Sequence, residues 1–438
     1  MGSERFVKAA GGCRNCGTFP EGVEGLKHLV RIASIALLLS FAAGSAAFGA
    51  GFALYDFSAR GNALGGALVG RADDPSALAL NPAGITQIPG SAFLTSAAFL
   101  LPYGKISPLG GAGTDQNDRT FILPAMYYTR QMNDSLWFGV AVMPRFGLGT
   151  DFPEDWFGRY NSYRAMIESV SVNPNIAWKV NESLSLSLGA EALWLEADLG
   201  KKIDPTRGAA PNPATDIDFR LKGDDIAFGW NVGLHYRMDE ATRIGLHYRS
   251  RVKLALSGTA TAKGFMGSDS TGGSVDLTLP EMFMFGVSRQ FTPKLNVEAG
   301  AIYTGWDSYE SLIINFDKPL LGILPTRSFT PKNWGSVWRY QIGFEYKHSP
   351  EWTWRLGYTY DQEPMPLSTL DYQVPTGDRQ LLSIGFGYSK DNWALDFAYT
   401  YLIAGDRHFE ERSSEGIRNS RSHDMGADIF MISFSMRL

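Results

Sequence analysis

Residues 338–350 read WRYQIGFEYKHSP. Trp338, Tyr340, Ile342, Phe344 and Tyr346 occupy every second position, with Arg339, Gln341, Gly343, Glu345 and Lys347 between them, and His348 to Pro350 then form a tight turn. Side chains alternate across a strand, so this stretch builds a ribbon with one oily and one polar face. The same period recurs. Leu382, Ile384, Phe386 and Tyr388 alternate with Ser383, Gly385, Gly387 and Ser389, and Phe228, Trp230, Val232, Leu234 and Tyr236 with Gly229, Asn231, Gly233, His235 and Arg237. Ile244, Leu246, Tyr248 and Val252 are read as one face of a further strand and Arg243, His247, Arg249 and Arg251 as the other.

A soluble sandwich also alternates, so the connections decide between sandwich and barrel. Tight turns are expected at Gln131 to Asp134, Val180 to Glu182, Met238 to Glu240, Phe291 to Pro293, His348 to Pro350 and Lys390 to Asn392. Long polar or Gly/Pro-rich connections fall between them at 102–118, 149–164, 201–222, 258–273, 310–330, 363–377 and 405–423. Short turns at one end and long loops at the other characterise outer-membrane barrels. The strands so bounded number fourteen over residues 91–438, an even count as a single-chain barrel requires. Tyr128, Trp137, Trp178, Tyr236, Tyr346, Trp352, Tyr388 and Trp393 lie beside the short turns and are expected to form the periplasmic aromatic girdle. The final strand presents Phe430, Ile432, Phe434, Met436 and Leu438 on one face, with Leu438 where a terminal Phe is usual.

Composition agrees. Aromatics are 13% of the 438 residues and charged residues 19%, with 48 glycines, a mix suited to strands flanked by interfacial rings. A net charge of -5 without basic runs excludes nucleic acid as the expected partner. Cys13 and Cys16 form a C-x-x-C, but they precede an export signal and would leave with it, so neither a metal nor a cofactor is expected. The signal comprises Lys27, His28 and Arg31, the apolar run Ile32 to Ala43, and small residues Gly44 to Ala50. Residues 1–49 are therefore assigned to a cleaved leader, cut after Gly49 or after Ala47, with Val23 as an alternative start. Beyond it no run reaches about 18 apolar residues, so no membrane-spanning helix is expected.

Residues 50–90 break the pattern. GFALYDFSARGNALGGALVGRADDPSALALNPAGITQIPG, from 51 to 90, is rich in Gly and Ala and alternates nowhere. Helical turns are expected at Ser58 to Val69 and Asp74 to Leu80, the second capped by Asp73 or Asp74, opened by Pro75 and closed by Asn81-Pro82. The G-F start, the acidic pair Asp73 and Asp74, and Asn81-Pro82-Ala83 about thirty residues past the cleavage site together resemble the N-terminal hatch of the FadL family of outer-membrane transporters. The likeness covers essentially the whole mature chain.

That resemblance implies a hatch over 50–90 plugging an all-β barrel from the periplasmic side, and a kink in the third strand that lets substrate leave sideways into the membrane. Pro144, followed by Arg145, Phe146, Gly147 and Leu148, is the candidate kink, because proline lacks the ladder N–H and glycine marks bulges. The apolar loop residues Leu312, Ile313, Ile314, Phe316, Leu320 and Leu321 are candidates for substrate capture. Arg243, His247, Arg249 and Arg251 are candidates for a carboxylate headgroup, or else they pair with the lumen acids Glu191, Glu298, Glu345 and Asp396. The implied function is passive uptake of hydrophobic molecules, long-chain fatty acids first and toluene-type hydrocarbons second, with a general porin as a further alternative. The expected surroundings are outer-membrane lipid and lipopolysaccharide, with the chain a monomer. No G-x-S-x-G or metal-ligand cluster supports an enzyme.

Overall fold

The computed structural model describes residues 51–206 and 212–438, and the leader expected over 1–49 lies outside the described residues. Fourteen antiparallel strands form the wall. They are β1 Ser91–Pro108, β2 Phe121–Gln131, β3 Leu136–Met143 resuming as Leu148–Asp151, β4 Arg164–Lys179, β5 Leu184–Ile203, β6 Ile217–Arg237, and β7 Thr242–Arg249 resuming as Val252–Gly264. The rest are β8 Gly267–Leu279 and Met282–Thr292, β9 Leu295–Thr304 and Ser311–Phe316, β10 Arg327–Pro331 and Val337–Lys347, β11 Trp352–Asp361, β12 Arg379–Lys390, β13 Trp393–Ala404 and β14 Ser420–Arg437. Each pairs with the next, and the register Ala92↔Arg437 to Pro108↔Ser420 closes β14 onto β1. Closure matters because no sheet edge can stand in lipid with its N–H and C=O groups unpaired.

The alternation divides as expected. Trp338, Tyr340, Phe344, Leu382, Ile384 and Phe228 face outward and are exposed on the bare protein, whereas Arg339, Gln341, Ser383 and Asn231 are buried inside. Trp178, Tyr236, Tyr346 and Trp352 stand on the outer face near the short turns. Trp137 does not join them. It is 4% exposed, and its indole N–H donates to the Ile88 carbonyl at 2.8 Å, because its strand parity points it inward.

Several long connections are shorter than expected, and two of them form hairpins. Residues 258–273 continue the β7–β8 hairpin in unbroken register from Val252↔Leu279 to Gly264↔Gly267; their Gly, Ser and Thr content reads as loop, yet Ala260 and Ala262 face inward and are buried. Residues 310–330 likewise form a hairpin, Ser311↔Pro331 to Asn315↔Arg327, with its tip exposed, at residues 317–319 and 322–323 among others. Strand β7 also departs from the expected parity. Both Arg249 and Ser250 are buried, so the chain bulges there, Val252 turns inward and Arg251 turns outward to Glu281 and Asp307.

Candidate functional site

Residues 51–90 lie against the inner faces of the strands. Ser58 caps helix α1 (Ala59–Ala63), its Oγ accepting from the Gly61 N–H at 3.2 Å. The expected helix to Val69 stops early because Gly65 and Gly66 take φ of +65° and +83°, outside the helical region. Helix α2 (Ala77–Leu80) ends at Asn81, and a 3₁₀ turn, Pro82–Gln87, follows. Asp74 Oδ1 accepts from the Ser76 N–H at 2.8 Å ahead of α2.

What seats this segment is partly the absence of side chains on the wall. A Cβ on Gly245 would lie 2.0 Å from the Val69 carbonyl oxygen, and one on Gly357 2.1 Å from the Gly65 nitrogen. The backbones therefore touch. Asn81 bridges them, its Nδ2 donating to Val69 O at 3.2 Å and to Leu234 O on β6 at 3.0 Å. Ala83 is fully buried.

Charge completes the seating. Arg60 reaches Asp73 at 2.7 Å, Asp74 at 3.0 Å and Glu345 on β10 at 3.2 Å. Arg71 meets Glu345 at 2.7 Å, and Arg355 bridges Glu345 and Asp396, each at 2.7 Å. Burial alone would raise the Asp73 pKa, but Arg60 and Arg71 hold it at about 2, so its carboxylate stays ionised. Below it a polar cavity of about 600 Å³, lined by Arg60, Asp73, Arg243, Lys347 and Arg355 among others, faces the short-turn end.

The wall breaks at Pro144. Pairing of β3 to β2 ends at Met126↔Val142 and to β4 at Met143↔Ser171, resuming at Leu148↔Ile167. Residues 121–125 of β2 pair with β1 alone. The interrupted segment turns inward onto the start of the inner segment: Leu54 N–H donates to Arg145 O and Gly147 N–H to Phe52 O, both at 2.9 Å. Ser169 Oγ accepts from the Phe146 N–H at 2.9 Å and so occupies part of the gap. The Arg145 guanidinium is buried, paired with Glu191 of β5.

Above the break an apolar cavity of about 60 Å³ is lined by Phe52, Leu148, Ile167, Leu199, Leu256, Leu312 and neighbours, with Lys332 as its one cation. Lys332 Nζ donates to Asp371 at 2.5 Å and to Gln373 Oε1 at 2.7 Å. Phe52 packs on Trp306 (ring centroids 4.5 Å apart), Trp334 (5.7 Å) and Phe146 (6.1 Å), which joins cavity and break in one aromatic cluster.

The candidates from sequence thus scatter. Leu312 lines the cavity and Ile314 and Leu320 are buried near it, while Ile313, Phe316 and Leu321 are only half-buried; Phe316 packs on Phe219 at 5.8 Å. His247 and Arg249 point into the lumen, but Arg249 donates to the Leu78 and Ala79 carbonyls at 3.0 and 3.2 Å and is 3.8 Å from Glu191, so it holds the inner segment. Arg243 lines the polar cavity, and Arg251 lies outside. Lys332, Phe52 and Trp334 were not among the candidates; Lys332 sits in a break of β10 between Pro331 and Val337, where neither alternation nor a motif marks it.

A sequence profile described as outer membrane protein transport protein (OMPP1/FadL/TodX) matches residues 40–437. The long-chain fatty acid transport protein of Escherichia coli O6:H1 is 27% identical over 397 residues, 81% of this chain and 87% of that one. Outer membrane protein P1 of Haemophilus influenzae is 25% identical over 431 residues, 87% and 92% of the two chains. Among solved structures, a Pseudomonas aeruginosa FadL homologue superposes with a TM-score of 0.78 at 21% identity, covering 89% of this chain and all of that one. The Pseudomonas putida toluene transporter TodX does so with 0.73 at 18%, covering 88% and 99%. The chain belongs to the OMPP1/FadL/TodX family of outer-membrane transport proteins, as a Gram-negative outer-membrane β-barrel transporter of hydrophobic compounds.

Proposed function

We propose that this chain carries long-chain fatty acids passively across the outer membrane, through the apolar cavity and out sideways at the β3 break. The observation that carries the reading is the make-up of the cavity: mostly hydrocarbon walls with one cation in the lining, Lys332, whose ammonium is shared with Asp371. A molecule with an alkyl chain and one carboxylate matches that arrangement, since a charge-assisted hydrogen bond adds about 1.5–3 kcal/mol to apolar burial.

Phe52 is floor of the cavity and backbone partner of Gly147 at once, so ligand pressing on residues 52–54 loosens the strand break beside it. The unpartnered edge of β2 at 121–125 then borders the opening. The inner segment acts as the hatch that keeps the lumen closed to polar solutes, which argues against a general porin. The working unit is the monomer in lipid and lipopolysaccharide, a reading supported by the closure of β14 onto β1, which leaves no sheet edge that needs a second copy. Toluene-type ligands are the second reading, favoured by the Phe52 and Trp334 rings in the cavity lining.

Lys332→Met in the purified, lipid-reconstituted protein is expected to weaken oleate binding about tenfold, roughly 1.4 kcal/mol, and to leave toluene binding unchanged. Pairing it with Asp371→Asn removes the orphaned carboxylate. Unaltered oleate affinity in the double variant would contradict the fatty-acid reading.

A further inference from the structure

Beyond β3 the wall has a second interruption, between β6 and β7. Their ladder runs from Asp218↔Lys263 to Asp224↔Ser257 and again from Asn231↔Arg249 to Arg237↔Arg243, and the bulge at Arg249 and Ser250 separates the two registers. Between them the seam is held by a single backbone bond, Ser250 N–H to Trp230 O at 2.9 Å, and by two side chains: Ser250 Oγ accepts from the Trp230 N–H at 2.9 Å and Asp225 Oδ2 from the Ala255 N–H at 2.7 Å. The pairings Ser169↔Leu195 and Leu195↔Asp225 put it level with the β3 break.

The β8–β9 irregularity at this level is different. There the 3₁₀ turn Trp306–Ser308 fills the space, with Gly305 N–H bonded to Glu281 O at 3.0 Å. Among the described residues no such turn fills the β6–β7 seam. On its outer side Ile226 and Phe228 are 58% and 75% exposed, flanked by the exposed Asp224, Arg251 and Lys253, and small residues line it: Ala227, Gly229, Ala255 and Ser257. On its inner side Gly223 and Leu256 are walls of the apolar cavity. Unpaired backbone at membrane depth is costly unless it borders a cavity.

We infer that the β6–β7 seam is a second lateral portal, through which uncharged or alkyl-chain molecules pass between the apolar cavity and the outer leaflet. This rests on the transport reading above. It makes the cavity reachable from the membrane on two sides of the barrel, one gated by residues 52–54 and one not.

The described residues contain no cysteine, both cysteines preceding residue 51, so a staple is readily introduced. A Cβ on Gly229 would lie 3.0 Å from Val252 Cγ2, and Gly229→Cys with Val252→Cys closes the seam. In a background with Pro144 to Leu148 replaced by a regular strand, residual uptake of labelled oleate is expected to fall at least about fivefold on oxidation and to return on reduction. Uptake indifferent to oxidation, or no residual uptake to begin with, overturns the portal. If the unmodified protein takes up no oleate, the transport reading fails and a second measurement decides the seam. Leu256→Cys, with its side chain in the cavity, should react in vesicles with a maleimide tethered to phospholipid, and absence of labelling overturns the proposal.

Discussion

Gly357→Leu is expected to open the barrel to polar solutes, raising the entry rate of a hydrophilic chromogenic β-lactam into expressing cells at least about tenfold. The inward Cβ at 357 would fall 2.1 Å from the Gly65 nitrogen and 2.4 Å from the Leu64 carbonyl carbon. These are backbone atoms, so no rotamer change relieves the clash. Gly65 itself is held at φ +65° and cannot easily move aside. Overpacking costs about 1–3 kcal/mol or more, and the strands, locked in a closed ladder, yield less than a segment of short helical turns. The inner segment should therefore be displaced while the barrel survives, and heat-modifiable migration on gels should be retained. Unchanged permeability would mean that residues 51–90 do not seal the lumen.

Glu191→Gln should cost roughly 3–5 kcal/mol of stability, the usual penalty for stranding a buried charge. Glu191 is 3% exposed and pairs with Arg145 of the β3 break, while Arg249, which holds α2, lies 3.8 Å from its other oxygen. Ser171 Oγ also bonds it. The amide keeps the shape but leaves two guanidiniums facing each other without a counter-charge. Urea unfolding in lipid vesicles would measure the loss, and adding Arg145→Met should recover part of it. A Glu191→Gln protein as stable as the parent would show that the cations find other partners.

These two positions indicate what could be read from sequence. The barrel was legible because strands such as Val337–Lys347 and Arg379–Lys390 repeat one rule, oily out and polar in, and short turns such as His348 to Pro350 fix the parity. Pro144 was legible for the same reason, as an exception to the ladder. The rule failed where the backbone bulges: one extra residue at Arg249 and Ser250 sends Arg251 outside and Val252 inside. It also failed at Trp137, where a ring read as girdle turns in to cap Ile88. Gly245 and Gly357 sit at polar-face positions that no motif marks, although their missing side chains make room for the inner segment. Lys332 was illegible because its role arises from Asp371 and Gln373, some forty residues away, brought to it by loops that carry no period.

Uptake of labelled oleate by cells expressing the intact protein, beside a variant in which Pro144 to Leu148 is replaced by a regular alternating strand, tests the lateral route most directly. The account predicts uptake by the intact protein and at least a fivefold loss in the variant at equal surface expression, because a repaired ladder closes the main gap. Equal uptake by both would contradict lateral exit at the third strand.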